Sequence, residues 1–251
     1  MSPWIYLGAY GHGVDKHERG RPLIKRRIAR LKLTWPVMRL AWQYVDDGDA
    51  WQSLPHDVPL FQYAPGCKRE FQWYLDGESA VDVSSVDDIC DWLLGCEYRS
   101  DWELFRQDDF WQHPITFEQL RKGDCEDFAL WAWRKLRRIG LETELMLGQW
   151  LARGVPGDHY HAWVVFRDPE GHQYLLESVA RARPRMVQPL AMARADYRPH
   201  LSVGHDLTRR VYAGLCAWIE QRRAERNALR RKGRDGSKPS IEDNVPAETA
   251  V

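Results

Sequence analysis

Residues 111–140, WQHPITFEQLRKGDCEDFALWAWRKLRRIG, decide the fold because they predict a long helix that begins near Cys125. Asp124 is a favourable N-cap residue, and Gly140 is typical of the position just past a helix end. The apolar residues of one helix face recur at helical spacing: Phe128, Trp131, Ala132, Leu136 and Ile139. The pattern therefore indicates an amphipathic helix whose first turn contains a cysteine.

After this helix the apolar pattern changes to a period of two, which predicts β-strands. Three strands are expected, at 141–151, 161–166 and 173–178, separated by the segments RGVPGDHY and RDPEGH. Short connections between successive strands favour antiparallel pairing. The sequence thus predicts an α+β fold in which the cysteine-bearing helix packs on an antiparallel sheet.

The remaining segments predict fewer regular elements. Residues 50–82 are expected to be irregular or β-like, since Phe71, Trp73 and Leu75 alternate with polar positions. VDDICDWLLG predicts a short helix capped by Ser84 or Ser85, and YRSDWELFRQDDFWQHP predicts a loop with embedded aromatic residues. A last helix is expected to start at Asp206.

Three residues in these elements suit nucleophilic chemistry. A thiol at the start of a helix, as Cys125 is predicted to be, loses its proton more readily than a free cysteine does. His161 opens a predicted strand, where its ring can project from the sheet edge toward the helix. If the turn between the second and third strands is centred near Pro169, Glu177 pairs with His161 and shares its face of the sheet.

The motif around Cys125 resembles that of the bacterial transglutaminase-like cysteine proteinases. In that family a Trp, a Pro and a Glu precede GDCEDxA, and a helix with a Leu and a closing Gly follows. HAWVVF is similar to the family's histidine strand, YLLES stands where the family places an acid, and the resemblance covers roughly residues 83–180. The matching positions in the first motif are Trp111, Pro114, Glu118, Gly123, Asp124, Cys125, Glu126, Asp127, Ala129, Leu136 and Gly140.

The resemblance implies the papain-like core of the transglutaminase superfamily, in which a nucleophilic cysteine leads a helix on an antiparallel sheet. By position, Cys125 is then the nucleophile, His161 the general base and acid, and Glu177 the acid that orients the imidazole. This chain departs from the family at the third position, where Asp is usual and Glu is one methylene longer.

Two further sets of site residues are expected. Gln112 and Trp111 are candidates to donate an N–H to the oxyanion of a tetrahedral intermediate. Some relatives bind calcium through acids beside the cysteine, which points to Asp124 and Glu126 as ligands. No cofactor is otherwise required by this chemistry.

The composition excludes several classes of protein. The 251 residues have a net charge of zero, which argues against a general nucleic-acid-coating protein, although the segments Lys16–Arg39 and Arg209–Lys238 are strongly basic. There is no apolar run of the length of a membrane span and no recognisable secretory signal, so a cytoplasmic location is expected. The five cysteines form no CxxC pair, as expected for free thiols.

The expected organisation has four parts. Residues 1–82 form a basic, partly helical extension and 83–200 the transglutaminase-like core. Residues 201–232 contain a C-terminal helix, and 233–251 form a disordered tail. The sequence does not predict the oligomeric state.

The favoured function is hydrolysis of an amide in a protein or peptide through an acyl-enzyme on Cys125. Two alternatives stay open. An amine in place of water gives transamidation from the same intermediate, and an inactive protein with this fold would be a binding or scaffold module.

Overall fold

The computed structural model describes residues 49–56, 58–151 and 159–235. In this part of the chain, a seven-stranded antiparallel sheet has the order β1-β9-β8-β4-β5-β6-β7, and β2 and β3 form a separate parallel pair. The strands are β1 (Ser53–Pro55), β2 (Glu97–Tyr98), β3 (Lys122–Gly123), β4 (Glu142–Trp150), β5 (His159–Arg167), β6 (Gln173–Leu176), β7 (Val187–Pro189), β8 (Tyr197–Val203) and β9 (Arg209–Tyr212).

Along the sequence, helices lie before, between and after the strands of the sheet. They are α1 (Phe71–Leu75), α2 (Val86–Leu94), α3 (Asp101–Phe105), α4 (Pro114–Leu120), α5 (Cys125–Arg138), α6 (Arg183–Met186), α7 (Leu190–Ala193) and α8 (Ala213–Asp235), with 3-10 turns at Leu60–Gln62 and Arg194–Asp196. The α+β class predicted from the sequence is confirmed. No helix in the described ranges has both the length and the apolar character that crossing a membrane requires.

Helix α5 lies at the centre of the fold and packs on β4 and β5. It begins at Cys125 as the sequence predicts, has acidic residues in its first turn and basic residues in its last, and Gly140 follows it with φ +86°. Asp124 occupies the N-cap position, but its side chain makes no capping hydrogen bond. That side chain instead lies among other acids.

Alternation along β5 separates the apolar side chains into two clusters. Ala162, Val164 and Phe166 belong to the main core with the residues of α5. Trp163 and Val165 belong to a second, smaller cluster. The other buried members of that second cluster are Met146, Leu175, Ala193, Tyr197 and Tyr212. The sheet is thus covered with apolar side chains on both faces.

Three segments differ from the sequence prediction. Residues 71–75 form a short helix, because Phe71 and Tyr74 are buried together at a helical spacing. Residues 101–105, predicted as loop, are helix α3, which begins at a capping box formed by Ser100 and Glu103. The predicted helix start at Asp206 is wrong because Asp206 closes a turn with Thr208 and the chain continues as β9.

Other predicted elements agree with the structure or lie outside it. Helix α2 is confirmed, with Ser85 as the capping residue that accepts from the Asp88 N–H. Residues 1–48 and 236–251, which include most of the predicted N-terminal extension and tail, lie outside the described residues. The domain boundaries at 82, 200 and 232 stay predictions.

A buried ion pair fastens α5 to its neighbours. Lys135 is fully buried, and its Nζ lies 2.9 Å from Glu118 Oε1 of α4. Lys135 also donates to Ser79 Oγ and the Val81 carbonyl oxygen, and the Trp131 indole donates to Glu118. Burial lowers the pKa of Lys135, and its contacts with Glu118 oppose that shift. The two charges are therefore well solvated by protein groups as long as both are present.

We predict that Lys135→Met lowers the free energy of unfolding by about 3–5 kcal/mol, because it leaves a buried carboxylate without its cation. Urea unfolding followed by tryptophan fluorescence measures the change. Lys122→Met is the matched control, since Lys122 pairs with Glu97 on the surface and its loss should cost less than about 1 kcal/mol. Equal effects of the two substitutions would contradict the prediction.

Candidate active site

Cys125 is the first residue of α5, where the backbone N–H groups have no partner within the helix. Its thiol is free and half-buried, whereas the other described cysteines are buried. Its Sγ donates to Glu126 Oε2 at 3.2 Å, and its side chain also forms a hydrogen bond with His161. The sulfur thus lies between a carboxyl group of its own helix and an imidazole of the sheet.

His161 contacts Glu177 through a single ring nitrogen. Nε2 lies 2.9 Å from Oε1 and 2.8 Å from Oε2 of Glu177, and both side chains are largely buried. Because Nε2 is engaged by the carboxylate, Nδ1 is the nitrogen left for Cys125. The structure therefore brings the three residues Cys125, His161 and Glu177 into one hydrogen-bonded chain.

The electrostatics of these three residues favour an ion pair between a protonated His161 and an ionised Glu177. Burial alone lowers the pKa of His161, but the Glu177 charge and the hydrogen bonds to Cys125 and Glu177 outweigh it and raise the pKa to about 10. Burial raises the pKa of Glu177, but the His161 charge and hydrogen bonds from His161, Tyr197 and the Val179 N–H lower it overall. An imidazolium beside a carboxylate is the stable state at neutral pH.

The pairing that positions Glu177 differs from the predicted one. Val164 pairs with Leu176, so the turn is centred one residue later than expected and β6 ends before Glu177. Continued pairing would place Glu177 opposite Trp163 rather than His161. When the centre of a turn moves by one residue, the pairing partner of each residue moves by two positions. Since side chains alternate between the two faces of a strand, Glu177 and His161 still share one face of the sheet. The predicted contact with His161 is present although the predicted register is wrong.

Tyr197 is a contact of the site that the sequence did not predict. Its hydroxyl donates to Glu177 Oε2 at 2.7 Å, and the residue is 7% exposed. Tyr197 begins β8, which is separated from β6 by β4 and β5 in the sheet. No local pattern signals such a contact, because it depends on the order of strands that are distant in sequence.

Gln112 and Trp111, the predicted oxyanion donors, form hydrogen bonds with other groups of the protein. The Gln112 side-chain amide donates to Asp127 Oδ2 and to the Lys122 carbonyl oxygen, and its backbone N–H donates to Asp127 Oδ1. Trp111 is buried and its side chain hydrogen-bonds to Asp109. As placed here, neither side chain keeps a donor hydrogen for an oxyanion.

Five acids cluster around the start of α5. Oxygens of Asp101, Asp124 and Asp127 lie within 4.8 Å of one another, as do those of Asp101, Asp109 and Glu126. Burial is the largest cause of their raised pKa values, and repulsion among the carboxylates adds to it. Together, burial and repulsion raise the pKa of Asp101 to about 8 and that of Asp124 to about 6.

This acidic cluster fits a hard cation. Oδ1 of Asp101 and Oδ1 of Asp124 are buried and have no hydrogen-bond partner. Carboxylate oxygens are the ligands that calcium prefers, and a cation would remove the repulsion that now raises the pKa values. Asp124 and Glu126, the predicted ligands, belong to different sets of three, and Asp101 is common to both sets.

Comparison with known proteins connects this region to one superfamily. The sequence model of the Transglutaminase-like superfamily matches residues 72–175. No curated protein sequence matches the chain significantly.

Among solved structures, the chain is similar to LapG of Legionella pneumophila, with 19% identity, a TM-score of 0.36, and 66% of this chain and 81% of that chain covered. The calcium-bound form of LapG has 18% identity and a TM-score of 0.38, covering 66% of this chain and 82% of that one. The EGTA-treated form has 19% identity and the same TM-score, covering 66% and 79%. Likenesses of this size say nothing about activity.

We predict that Glu177→Gln lowers the pKa of His161 by about one to three units, since it removes the charge that offsets burial. NMR titration of the imidazole resonances measures the pKa, with the exposed Glu142→Gln as the control. A His161 pKa that is equally high in both variants would contradict this account.

The raised pKa also has a consequence for stability. Folded His161 titrates near 10 and the unfolded side chain near 6.5, so its contribution is complete below pH 6.5 and is lost as the pH rises to about 10. In Glu177→Gln this alkaline loss of stability should be smaller, which urea unfolding across that pH range will show.

Proposed function

We propose that this protein, whose residues 72–175 match the transglutaminase-like superfamily, hydrolyses an amide bond of a protein or peptide through an acyl-enzyme on Cys125. The observation that supports this most directly is the hydrogen-bonded chain of Cys125, His161 and Glu177 at the start of α5. A nucleophile, a base and an acid that orients the base are the three groups required for acyl transfer to a thiol.

In the first step the Cys125 thiolate attacks the amide carbonyl carbon while His161 is the imidazolium. The carbonyl oxygen becomes an oxyanion, which the unpartnered backbone N–H groups at the start of α5 can stabilise. His161 then gives its Nδ1 proton to the amide nitrogen, the C–N bond breaks, and an amine leaves. The products are a thioester on Cys125 and a neutral imidazole.

Water completes the reaction. Neutral His161 accepts a proton from water as the oxygen attacks the thioester carbon, and the C–S bond breaks to give a carboxylic acid. The sulfur departs as thiolate and the imidazolium is restored. An amine that reaches the thioester first would give a new amide instead, so transamidation shares every group of this mechanism.

The role of Glu177 is to hold the imidazole. Its two oxygens face Nε2, which leaves Nδ1 available for Cys125, and its negative charge stabilises the imidazolium. Because both side chains are largely buried, water competes weakly for these hydrogen bonds. With Nε2 engaged by Glu177, Nδ1 is the nitrogen through which His161 gives and accepts the proton.

The acidic cluster is proposed to hold calcium through one of its two sets of three acids, either Asp101, Asp124 and Asp127 or Asp101, Asp109 and Glu126. When bound, the cation would supply positive charge next to the start of α5. That charge would offset the buried carboxylates and so favour an anionic sulfur at Cys125.

We predict that Cys125 is alkylated selectively by iodoacetamide at pH 6, because the imidazolium maintains the thiolate below the pH at which ordinary thiols react. Site-resolved mass spectrometry compares Cys125 with the buried Cys216, and His161→Ala should slow the labelling of Cys125. Equal reactivity of Cys125 and Cys216 would favour the scaffold function instead.

Turnover is tested with a dye-labelled denatured protein as a generic substrate. Cys125→Ser should reduce release of labelled peptides by about a thousandfold or more, as expected when the nucleophile of a coupled set is lost. Addition of a primary amine distinguishes hydrolysis from transamidation, since only the second reaction incorporates the amine. A wild-type protein with a reactive Cys125 and neither product would contradict the proposed enzyme activity.

We predict that calcium chloride binds the acidic cluster and raises the melting temperature as its concentration increases. Asp101→Asn should weaken the binding measured by calorimetry more than the exposed control Glu78→Gln does, since Asp101 is common to both sets of oxygens. The absence of heat and of stabilisation at roughly millimolar calcium would exclude a site even of the weak class.

A further inference from the structure

The contact between Tyr197 and Glu177 joins two parts of the sheet that share no strand pairing. Tyr197 is on β8 and pairs with Trp150 of β4, whereas Glu177 follows β6 on the far side of β5. The hydroxyl nevertheless lies 2.7 Å from Glu177 Oε2. The Tyr197 side chain thus links β8 to the residue that follows β6.

Glu177 depends on side-chain contacts for its orientation. The β5–β6 pairing ends at Val164 and Leu176, so the sheet register does not fix the residue after it. The Glu177 backbone N–H donates to the Met186 carbonyl oxygen, which places the backbone but leaves the side-chain torsions undetermined. Apart from His161, the donors to the carboxylate within the described residues are the Val179 N–H at 3.3 Å from Oε1 and the Tyr197 hydroxyl at Oε2.

Tyr197 is itself held on two sides. Its ring packs against Trp163, with ring centroids 5.0 Å apart, and Trp163 lies two residues from His161 on the same strand. The Trp51 indole N–H donates to the Tyr197 backbone carbonyl oxygen at 3.2 Å. These contacts hold the Tyr197 phenol in place independently of Glu177. A hydroxyl held in this way can orient the carboxylate to which it donates a hydrogen bond.

We propose that Tyr197 is a positioning residue of the site: its hydroxyl fixes the Glu177 carboxylate in the rotamer that faces His161 Nε2. This rests on the proposed function, in which His161 acts on Cys125. Tyr197 touches no reacting atom, and its effect passes through Glu177. A role in packing alone is the competing explanation, since the ring belongs to the second apolar cluster.

Tyr212 offers a matched control for that explanation. It is a buried tyrosine of the same cluster, 5% exposed against 7% for Tyr197, and its hydroxyl also donates to a carboxylate, Glu144 Oε1 at 2.9 Å. Removing either hydroxyl costs one partly buried hydrogen bond to a carboxylate, Tyr212 also loses a long contact with Met146 Sδ, and each ring remains as Phe. Of the two tyrosines, only Tyr197 donates to Glu177, the carboxylate that contacts His161.

The experiment measures the rate at which iodoacetamide alkylates Cys125 in Tyr197→Phe and Tyr212→Phe, each in the wild-type and Glu177→Gln backgrounds. We expect Tyr197→Phe to slow alkylation roughly tenfold, the size of one hydrogen bond to a charged group, and to have no further effect when Glu177 is already Gln. Tyr212→Phe should leave the rate unchanged in both backgrounds. Equal rates in the two tyrosine variants, or the same slowing by Tyr197→Phe without the Glu177 carboxylate, would overturn the proposal.

A second readout is the pH profile of the same alkylation. Loss of a donor destabilises the Glu177 anion and raises its pKa, so the acidic limb should move to higher pH in Tyr197→Phe and stay in place in Tyr212→Phe. Packing changes alone would not move this limb, and an unmoved limb would count against the proposal.

The assay also separates this inference from the proposed function. Alkylation needs no peptide substrate, so the role of Tyr197 is measured even if the protein hydrolyses nothing. If wild-type Cys125 reacts no faster than Cys216, both proposals fail. If Cys125 is reactive and the two tyrosine variants agree, only the role of Tyr197 fails.

Discussion

The site depends on one buried interaction, the contact of the His161 imidazole with the Glu177 carboxylate. Removing an imidazolium from water is unfavourable, and burial by itself would make His161 a weaker base than a free histidine. The carboxylate reverses that effect because it is only 2.8 Å away and lies in the same weakly hydrated space. The pair therefore keeps His161 as an imidazolium beside the start of α5, where Cys125 lies.

The second constraint is the density of negative charge around the same helix start. A helix N-terminus favours anions, but Asp124, Glu126 and Asp127 are more carboxylates than one dipole can stabilise, and Asp101 and Asp109 add two others. Burial raises the pKa values of all five, and repulsion among the carboxylates raises them further. Such an arrangement costs stability unless a cation or protons neutralise it.

Local sequence patterns were sufficient for part of this structure. The start of α5 at Cys125 followed from periodicity and cap chemistry. The shared face of His161 and Glu177 followed from strand parity, which the one-residue shift in the centre of the turn did not alter. The contacts of Tyr197 with Glu177 and of Lys135 with Glu118 were not predictable, because each joins elements that no local pattern pairs. Helix α3 had a readable capping box, but the aromatic residues around it favoured an irregular segment.

A glutamate suits position 177 because its side chain is one methylene longer than that of aspartate. If the β5–β6 pairing were continued by one residue beyond Leu176, residue 177 would lie diagonal to His161 rather than opposite it, and diagonal neighbours in a sheet are roughly 7–8 Å apart against about 5 Å for direct partners. The additional methylene of Glu177 spans part of that difference and brings both oxygens within 2.9 Å of Nε2. A longer side chain also has one more torsion to fix, and the Tyr197 hydroxyl and Val179 N–H are placed to restrict it. The longer acid, the shifted turn and the tyrosine on β8 are thus parts of one geometric solution.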